Sequence, residues 1–432
     1  MALNTNIALR GKSIYQVFVR QHSKTQDFKG LINDLDRIKK MGFDIIYLLP
    51  FHPIGKLNRK GTIGSPYSIS NYYEIDEKNG NLADFEKLAL EIKKKGMLLM
   101  MDIVINHTSR DSKLLSKHPE WFYKDKNGQF NNRVGDWSDI TDLDFSNKKL
   151  WDYLIEMLKY WAKYVDAFRC DVAPLVPLDF WKMARKEIAK IKPNFFWLAE
   201  SVQPSFIRHI RNLSFEAASD SQIYEAFDIC YDYDIYDYMD NFIKGEGSLS
   251  RWLEEIMDQE AIYPQNYIKA RSFENHDQKR LFEKIGDIKK IIHMHALSFF
   301  LRGMPFIYAG GEFIAKREPS LFEDDLVEPN KQESIENLIT KLNEISKDEI
   351  MIDGIFKLEK KDFAIFSYTK DNRYLLGIFD VEKKGEVEVN LKDGSYTNKI
   401  NGDLILVKNG KITNLDYPII LDLKVEEIKV KA

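Results

Sequence analysis

The sequence predicts a (β/α)8 barrel, the TIM-barrel architecture, followed by a C-terminal antiparallel β domain. Two observations point to it. Short apolar runs alternate with longer amphipathic runs from residue 14 to residue 346, the signature of repeated βα units. Beyond Glu349 the chain changes to short alternating segments separated by turn signals such as Asp393-Gly394 and Asn409-Gly410. The 432 residues suit one barrel of roughly 250–350 residues with an appendage. The expected domains are a barrel over residues 1–348 and a β-sandwich-like domain over 349–432.

The first strand is expected at residues 14–19. A helix follows at 30–41 and stops at Gly42, a residue suited to the left-handed cap. The second strand covers 45–49 and ends against Pro50. A helix at 82–95, closed by Gly96, leads into the third strand at 97–104. Residues 106–147 form a protruding loop region, and structured loops of that length are usually functional. A helix at 149–164 precedes the fourth strand at 165–172. Another helix at 178–191 precedes the fifth strand at 195–200. The sixth strand is placed at 227–231, within a less periodic stretch from 206 to 244. The seventh strand is 267–273, its helix 288–301, the eighth strand 306–309, and a closing helix spans 332–346.

Composition excludes several classes. Charged residues make up 30% of the chain, yet the net charge is only −4, so the basic excess of a nucleic-acid binder is missing. Cys170 and Cys230 are too few for a disulfide framework and lack metal-ligand spacing. Residues 1–12 carry no apolar signal core, and the strongest apolar run, 97–105, is too short to span a bilayer. The expectation is a cytoplasmic protein with no nucleic-acid or membrane partner.

Catalytic groups of a β/α barrel sit at the C-terminal ends of its strands. Four carboxylates fall there: Asp102, Asp171, Glu200 and, just after strand seven, Asp277. Crowded at one mouth they repel one another and raise one another's pKa, an arrangement with little structural purpose. Alternation along strand four puts Arg169 and Asp171 on the inward face, one layer apart. An arginine there can hold the aspartate ionised, as a glycosidase nucleophile requires. The same count puts Leu198 beneath Glu200, where an apolar neighbour favours a protonated acid. Retaining glycosidases need such a pair about 5–5.5 Å apart, which neighbouring strand ends can supply. His107 and His276 could ligate a metal, but no HExxH motif is present, and sugar hydroxyls are the favoured partners. Cys170 faces the helices and reads as core.

These residues resemble the signature regions of the α-amylase family, glycoside hydrolase family 13. Asp102-Ile103-Val104-Ile105-Asn106-His107 is similar to the first region, and Ala167-Phe168-Arg169-Cys170-Asp171 to the second. Trp197-Leu198-Ala199-Glu200-Ser201 fits the acid/base strand, and Phe273-Glu274-Asn275-His276-Asp277 the last region. Tyr67 lies in a segment that resembles the family's YxxxDY loop, with Asn71 where aspartate is usual. Gly303 to Tyr308 is similar to the family's eighth strand. The resemblance extends from residue 14 to residue 312, with the usual β domain after it.

The resemblance implies a retaining hydrolase of α-glucosidic bonds, mainly α-1,4, in starch, glycogen or maltodextrins. A transglycosylase, an isomerase or a catalytically dead binding module of the same family is the alternative. It implies Asp171 as nucleophile, Glu200 as general acid/base and Asp277 as transition-state stabiliser. Arg169, His107 and His276 would bind the glucose at the cleavage point, Tyr67 would stack beneath it, and Asp102 would support the site. Many relatives carry Lys-His three and four residues after the nucleophile, where this chain has Pro174 and Leu175. That histidine position and Asn106 help hold the family's structural calcium. With Leu175 there, no metal is expected to be required, and no other cofactor.

Overall fold

The computed structural model describes residues 4–327 and 331–429. The outermost residues of both expected domains, 1–3 and 430–432, lie outside them. Eight parallel strands close a barrel: β1 (Ile14–Val17), β2 (Ile45–Leu48), β3 (Leu98–Ile103), β4 (Ala167–Cys170), β5 (Phe196–Ala199), β6 (Ile229–Tyr231), β7 (Lys269–Arg271) and β8 (Met304–Tyr308). All eight are buried along nearly their whole length, as parallel strands covered by helices must be. No strand end departs from the sequence reading by more than two residues.

The helices read from sequence are found at Phe28–Lys40, Leu82–Lys94, Lys148–Ala162, Leu178–Ile191, Ile288–Phe300 and Glu336–Ser346. Their starts are capped: Asp27 accepts from the Gly30 N–H, and Asn81 and Asp84 form a reciprocal capping box. Gly42 and Gly96 take positive φ just after their helices, as expected. Helices at Pro204–Asn212, Tyr236–Lys244 and Leu249–Ile262 escaped the sequence reading. The last carries a plain signal: Leu249, Trp252, Leu253 and Ile256 recur at helical spacing behind the cap Ser248.

The C-terminal sheet orders β9 (Ile355–Lys360), β10 (Ala364–Lys370), β11 (Arg373–Phe379) and β12 (Ile419–Lys424), all antiparallel. Alternation divides its two faces. Phe366, Tyr368, Leu375 and Phe379 join the barrel's core, while Ile365, Tyr374, Leu376 and Ile378 build a second core on the far face. Gly377 allows the close approach, since a Cβ there would lie 2.7 Å from the Phe300 ring.

Candidate active site

The barrel register sets the site. Asp102 of β3 pairs in register with Arg169 of β4, and Arg169 with Leu198 of β5. The ladder continues one step further, with Asp171 N–H donating to Ile103 and Glu200 N–H to Cys170. Asp171 and Glu200 therefore emerge side by side, with the buried Arg169 one layer below them. Its Nη1 donates to both oxygens of Asp102 at 2.9 and 3.0 Å and to Asp171 Oδ1 at 2.9 Å. Its Nη2 lies 3.0 Å from Glu200 Oε2. The arginine paired with Asp171 in the sequence reading reaches three carboxylates, because the guanidinium lies at their common level.

Burial opposes the charge of Arg169, but Asp102 and Glu200 outweigh it and hold the guanidinium protonated. Burial lifts the Asp171 carboxyl well above the usual range, and the charge of Glu200 lifts it further against Arg169. Arg169 pulls Asp171 toward the ionised form, as expected, but burial and Glu200 outweigh that pull. Burial also raises Glu200, opposed by Arg169, supported by Asp277, and opposed by the Val172 N–H, which donates to Oε2 at 2.7 Å. The two carboxyl groups lie close enough to act on each other: the charge of Glu200 raises Asp171, and a hydrogen bond from Asp171 weakly lowers Glu200. Cys170 is buried away from this pocket as a free thiol.

The opposite wall is built by His276, Tyr67 and Asp277. Gln16 of β1 donates to His276 Nδ1 at 2.8 Å, which leaves the ring proton on Nε2. Nε2 faces the Tyr67 hydroxyl and lies 3.1 Å from Asp277 Oδ2. Tyr67 passes its own proton toward Asp102 at 3.0 Å, and Tyr47 donates to the same oxygen at 2.6 Å. Burial and Arg169 depress His276 to a pKa of about 3, so the ring is neutral. His107, buried beside Trp137, is likewise depressed to about 4 by burial. Asp277 alone among the four carboxylates is substantially open, with 38% of its side chain exposed. Seven of the eight residues singled out from sequence are joined by direct contacts at the barrel mouth, and His107 lies buried beside the Tyr67 backbone. Gln16 and Tyr47 were missed, although each is a polar side chain on the inward face of an otherwise apolar strand.

Asn106 lies beside the Asp142 carboxylate, 3.5 Å from its Oδ1. Asn106 Oδ1 is buried without a hydrogen-bond partner. Its neighbour Asp142 already faces a cation. The Arg133 N–H donates to Asp142 Oδ2 at 2.9 Å, and the guanidinium lies 3.3 Å from the same oxygen. Leu175 offers no oxygen in its side chain. Among the described residues no cluster of three His, Cys, Asp or Glu suits a metal.

Fold and site define a parallel barrel protein with a carboxylate pocket at the C-terminal rim of its strands. The chain belongs to the α-amylase family: residues 16–120 and 115–350 match the alpha-amylase catalytic domain, and residues 354–421 the bacterial alpha-amylase C-terminal domain. It is 40% identical to an alpha-amylase from Lactobacillus plantarum whose crystal structure is known. The likeness covers 97% of this chain and 100% of that one, with a TM-score of 0.93. An alpha-1,4-glucan:maltose-1-phosphate maltosyltransferase from Picrophilus torridus is 33% identical over 47% of this chain and 34% of its own length. An intracellular maltogenic amylase from Bacillus subtilis is 26% identical over 82% of this chain and 61% of its own. The chain thus spans between about a third and two thirds of the length of these curated relatives.

Proposed function

We propose that this protein is a retaining glycoside hydrolase that cleaves α-glucosidic bonds, mainly α-1,4, in maltodextrins or larger α-glucans. The observation that carries the reading is the single guanidinium of Arg169 beneath Asp171 and Glu200, two carboxyl groups close enough to act on each other. That closeness suits the short spacing of retaining enzymes, about 5–5.5 Å, rather than the about 6.5–9.5 Å of inverting ones.

In this reading Asp171 is the nucleophile, attacking as the carboxylate that Arg169 favours against burial, and Glu200 is the general acid that carries the pair's proton. Oε2 of Glu200 is taken up by Val172 N–H and Arg169, so the transferable proton belongs on Oε1. Glu200 gives it to the glycosidic oxygen as Asp171 bonds to C1 and the C1–O bond breaks. The leaving sugar departs with the proton. Glu200, now a carboxylate, takes a proton from water, whose oxygen attacks C1 and releases Asp171. Two inversions give net retention. Asp277 supplies negative charge to the oxocarbenium-like transition state, held by the neutral His276. Arg169, His107 and Tyr67 bind the glucose ring, and Asp102 fixes Arg169 and Tyr67.

No metal ion is assigned a part in this cycle, and Arg133 supplies the positive charge at Asp142. No helix among the described residues is long and apolar enough to cross a membrane. We place the protein in the cytoplasm, a reading supported by the intracellular relative. Transfer of the same glucosyl unit to an acceptor other than water is a second reading, favoured by the missing polar side chains at Pro174 and Leu175. Incubation with maltoheptaose and with pullulan, followed by product analysis, tests the proposal. Shorter maltodextrins from the first substrate support it, and no cleavage of either refutes it.

A further inference from the structure

Arg169 ties down three of the four carboxylates at the barrel mouth, and Asp277 is not among them. The Asp277 carboxylate meets His276 and keeps 38% of its side chain open. Its placement therefore falls to the backbone of the loop after β7, and that loop is closely tied. Asn275 Oδ1 accepts the Asp277 N–H at 2.9 Å. A backbone N–H can only donate, so the amide oxygen of Asn275 is fixed on this side and Nδ2 on the other. Nδ2 donates to the Tyr233 hydroxyl at 2.8 Å. Tyr236 makes a second tie, from its hydroxyl to Gln278 Oε1.

Both tyrosines come from the segment after β6, which is itself anchored. Arg271 Nη1 donates to Asp232 Oδ2 at 2.7 Å, and Lys269 Nζ to Asp234 Oδ1 at 2.8 Å, so two buried cations of β7 grip the chain on either side of Tyr233. Gln259 Nε2 bridges the same two aspartates at 2.8 and 2.9 Å. The buried Tyr233 ring stands edge-on to Tyr231 at 5.3 Å, and the Tyr231 ring lies 5.4 Å from the Arg169 guanidinium. Burial, then the charges of Asp277 and Glu200, raise the Tyr233 hydroxyl well above the ordinary phenol range, so it stays protonated.

We propose that Tyr233 is a positioning residue for Asp277 and acts through Asn275. Its hydroxyl holds the amide, and the amide holds the Asp277 backbone, so that the carboxylate meets the positive charge developing at C1. The proposal rests on Asp277 as the transition-state stabiliser. Charge at C1 develops only in the transition state, so a displaced Asp277 slows the reaction without weakening donor binding.

The test is single-turnover fluoride release from α-maltosyl fluoride, a first step that needs no proton from Glu200. Tyr233→Phe keeps the ring and removes the hydroxyl. Its maximal rate should fall about tenfold, while the half-saturating donor concentration stays within about twofold of that of the unaltered protein. Asn275→Ala breaks the same link from its other end and carries the comparison if Tyr233→Phe fails to fold. Its loss should be at least as large. In Asp277→Asn no carboxylate is left to place, so adding Tyr233→Phe there should change the rate by less than about twofold. A tenfold loss that persists beside Asp277→Asn would show a packing role alone and overturn the proposal, as would an unchanged rate in Tyr233→Phe. An undiminished rate in Asp277→Asn by itself overturns the reading of Asp277, and the positioning role with it.

Discussion

The N–H of Val172 donates to Oε2 of Glu200 at 2.7 Å from a backbone at φ +35° and ψ +46°. A β-branched residue in the left-handed region is uncommon, and such strain costs about 1–3 kcal/mol. It turns the amide next to the proposed nucleophile toward the proposed acid. One oxygen of Glu200 is thereby fixed, and the other is left to carry the proton.

Glu200→Gln can keep the Val172 bond through its amide oxygen, so the fold should be preserved while the acid is lost. Cleavage of maltodextrin, whose leaving sugar needs a proton, should fall by about 10²–10⁴-fold. The first step with α-maltosyl fluoride should slow much less, because fluoride leaves without help. Single-turnover kinetics on both substrates checks this. Equal losses would move the acid role to another carboxylate at the barrel mouth.

Asp277→Asn should shift the alkaline limb of the activity profile to lower pH. Burial lifts the Glu200 pKa above the ordinary glutamate range, and the negative charge of Asp277 adds to the lift. Activity needs the proton on Glu200, so it is lost as pH rises through that raised value. Removal of the Asp277 charge makes ionisation easier and brings the loss earlier. A profile of kcat/KM on maltoheptaose, whose leaving sugar needs that proton, checks the direction. A limb that stays in place would separate the two residues electrostatically.

Asp171→Asn should retain less than about a tenth of the turnover, since the amide cannot form the glycosyl ester. The melting temperature should hold. Burial already disfavours the ionised form of Asp171, and asparagine is close to its neutral shape. Turnover assays with thermal denaturation separate lost chemistry from lost fold.

Chelators should leave the melting temperature unchanged, while Arg133→Ala should lower stability by about 1–3 kcal/mol, because the buried Asp142 keeps the backbone N–H but loses its cation. Burial raises Asp142 to about 6, above the unfolded value of about 3.9. The folded state binds the extra proton between those values, so stability is lost as pH rises through about 6. Asp142→Asn lacks this loss. Its stability relative to the unaltered protein should improve from pH 4 to pH 8 on denaturant melts, by about 1–3 kcal/mol. A flat difference would mean that Asp142 does not titrate in that range.

Much of this site was legible because barrel strands impose a strict inward–outward alternation. Arg169 with Asp171, and Leu198 with Glu200, follow from counting along two strands. What alternation cannot supply is the level at which neighbouring strands pair. That register put Arg169 under Glu200 as well as Asp171. The turn at Val172 was illegible for a different reason, since valine gives no sign of a left-handed backbone. Gln16 and Tyr47 were within reach, being polar side chains at inward positions of β1 and β2. The cation at Asp142 comes from Arg133, nine residues away along an irregular loop where no period guides the reading.

The central claim is that Asp171 and Glu200 act as a retaining pair. Proton NMR of the first-formed product from a maltodextrin tests it most directly, before mutarotation mixes the anomers. The account predicts that the new reducing end appears first as the α-anomer. An initial β-anomer would contradict it, because one inversion with no covalent ester at Asp171 would then suffice.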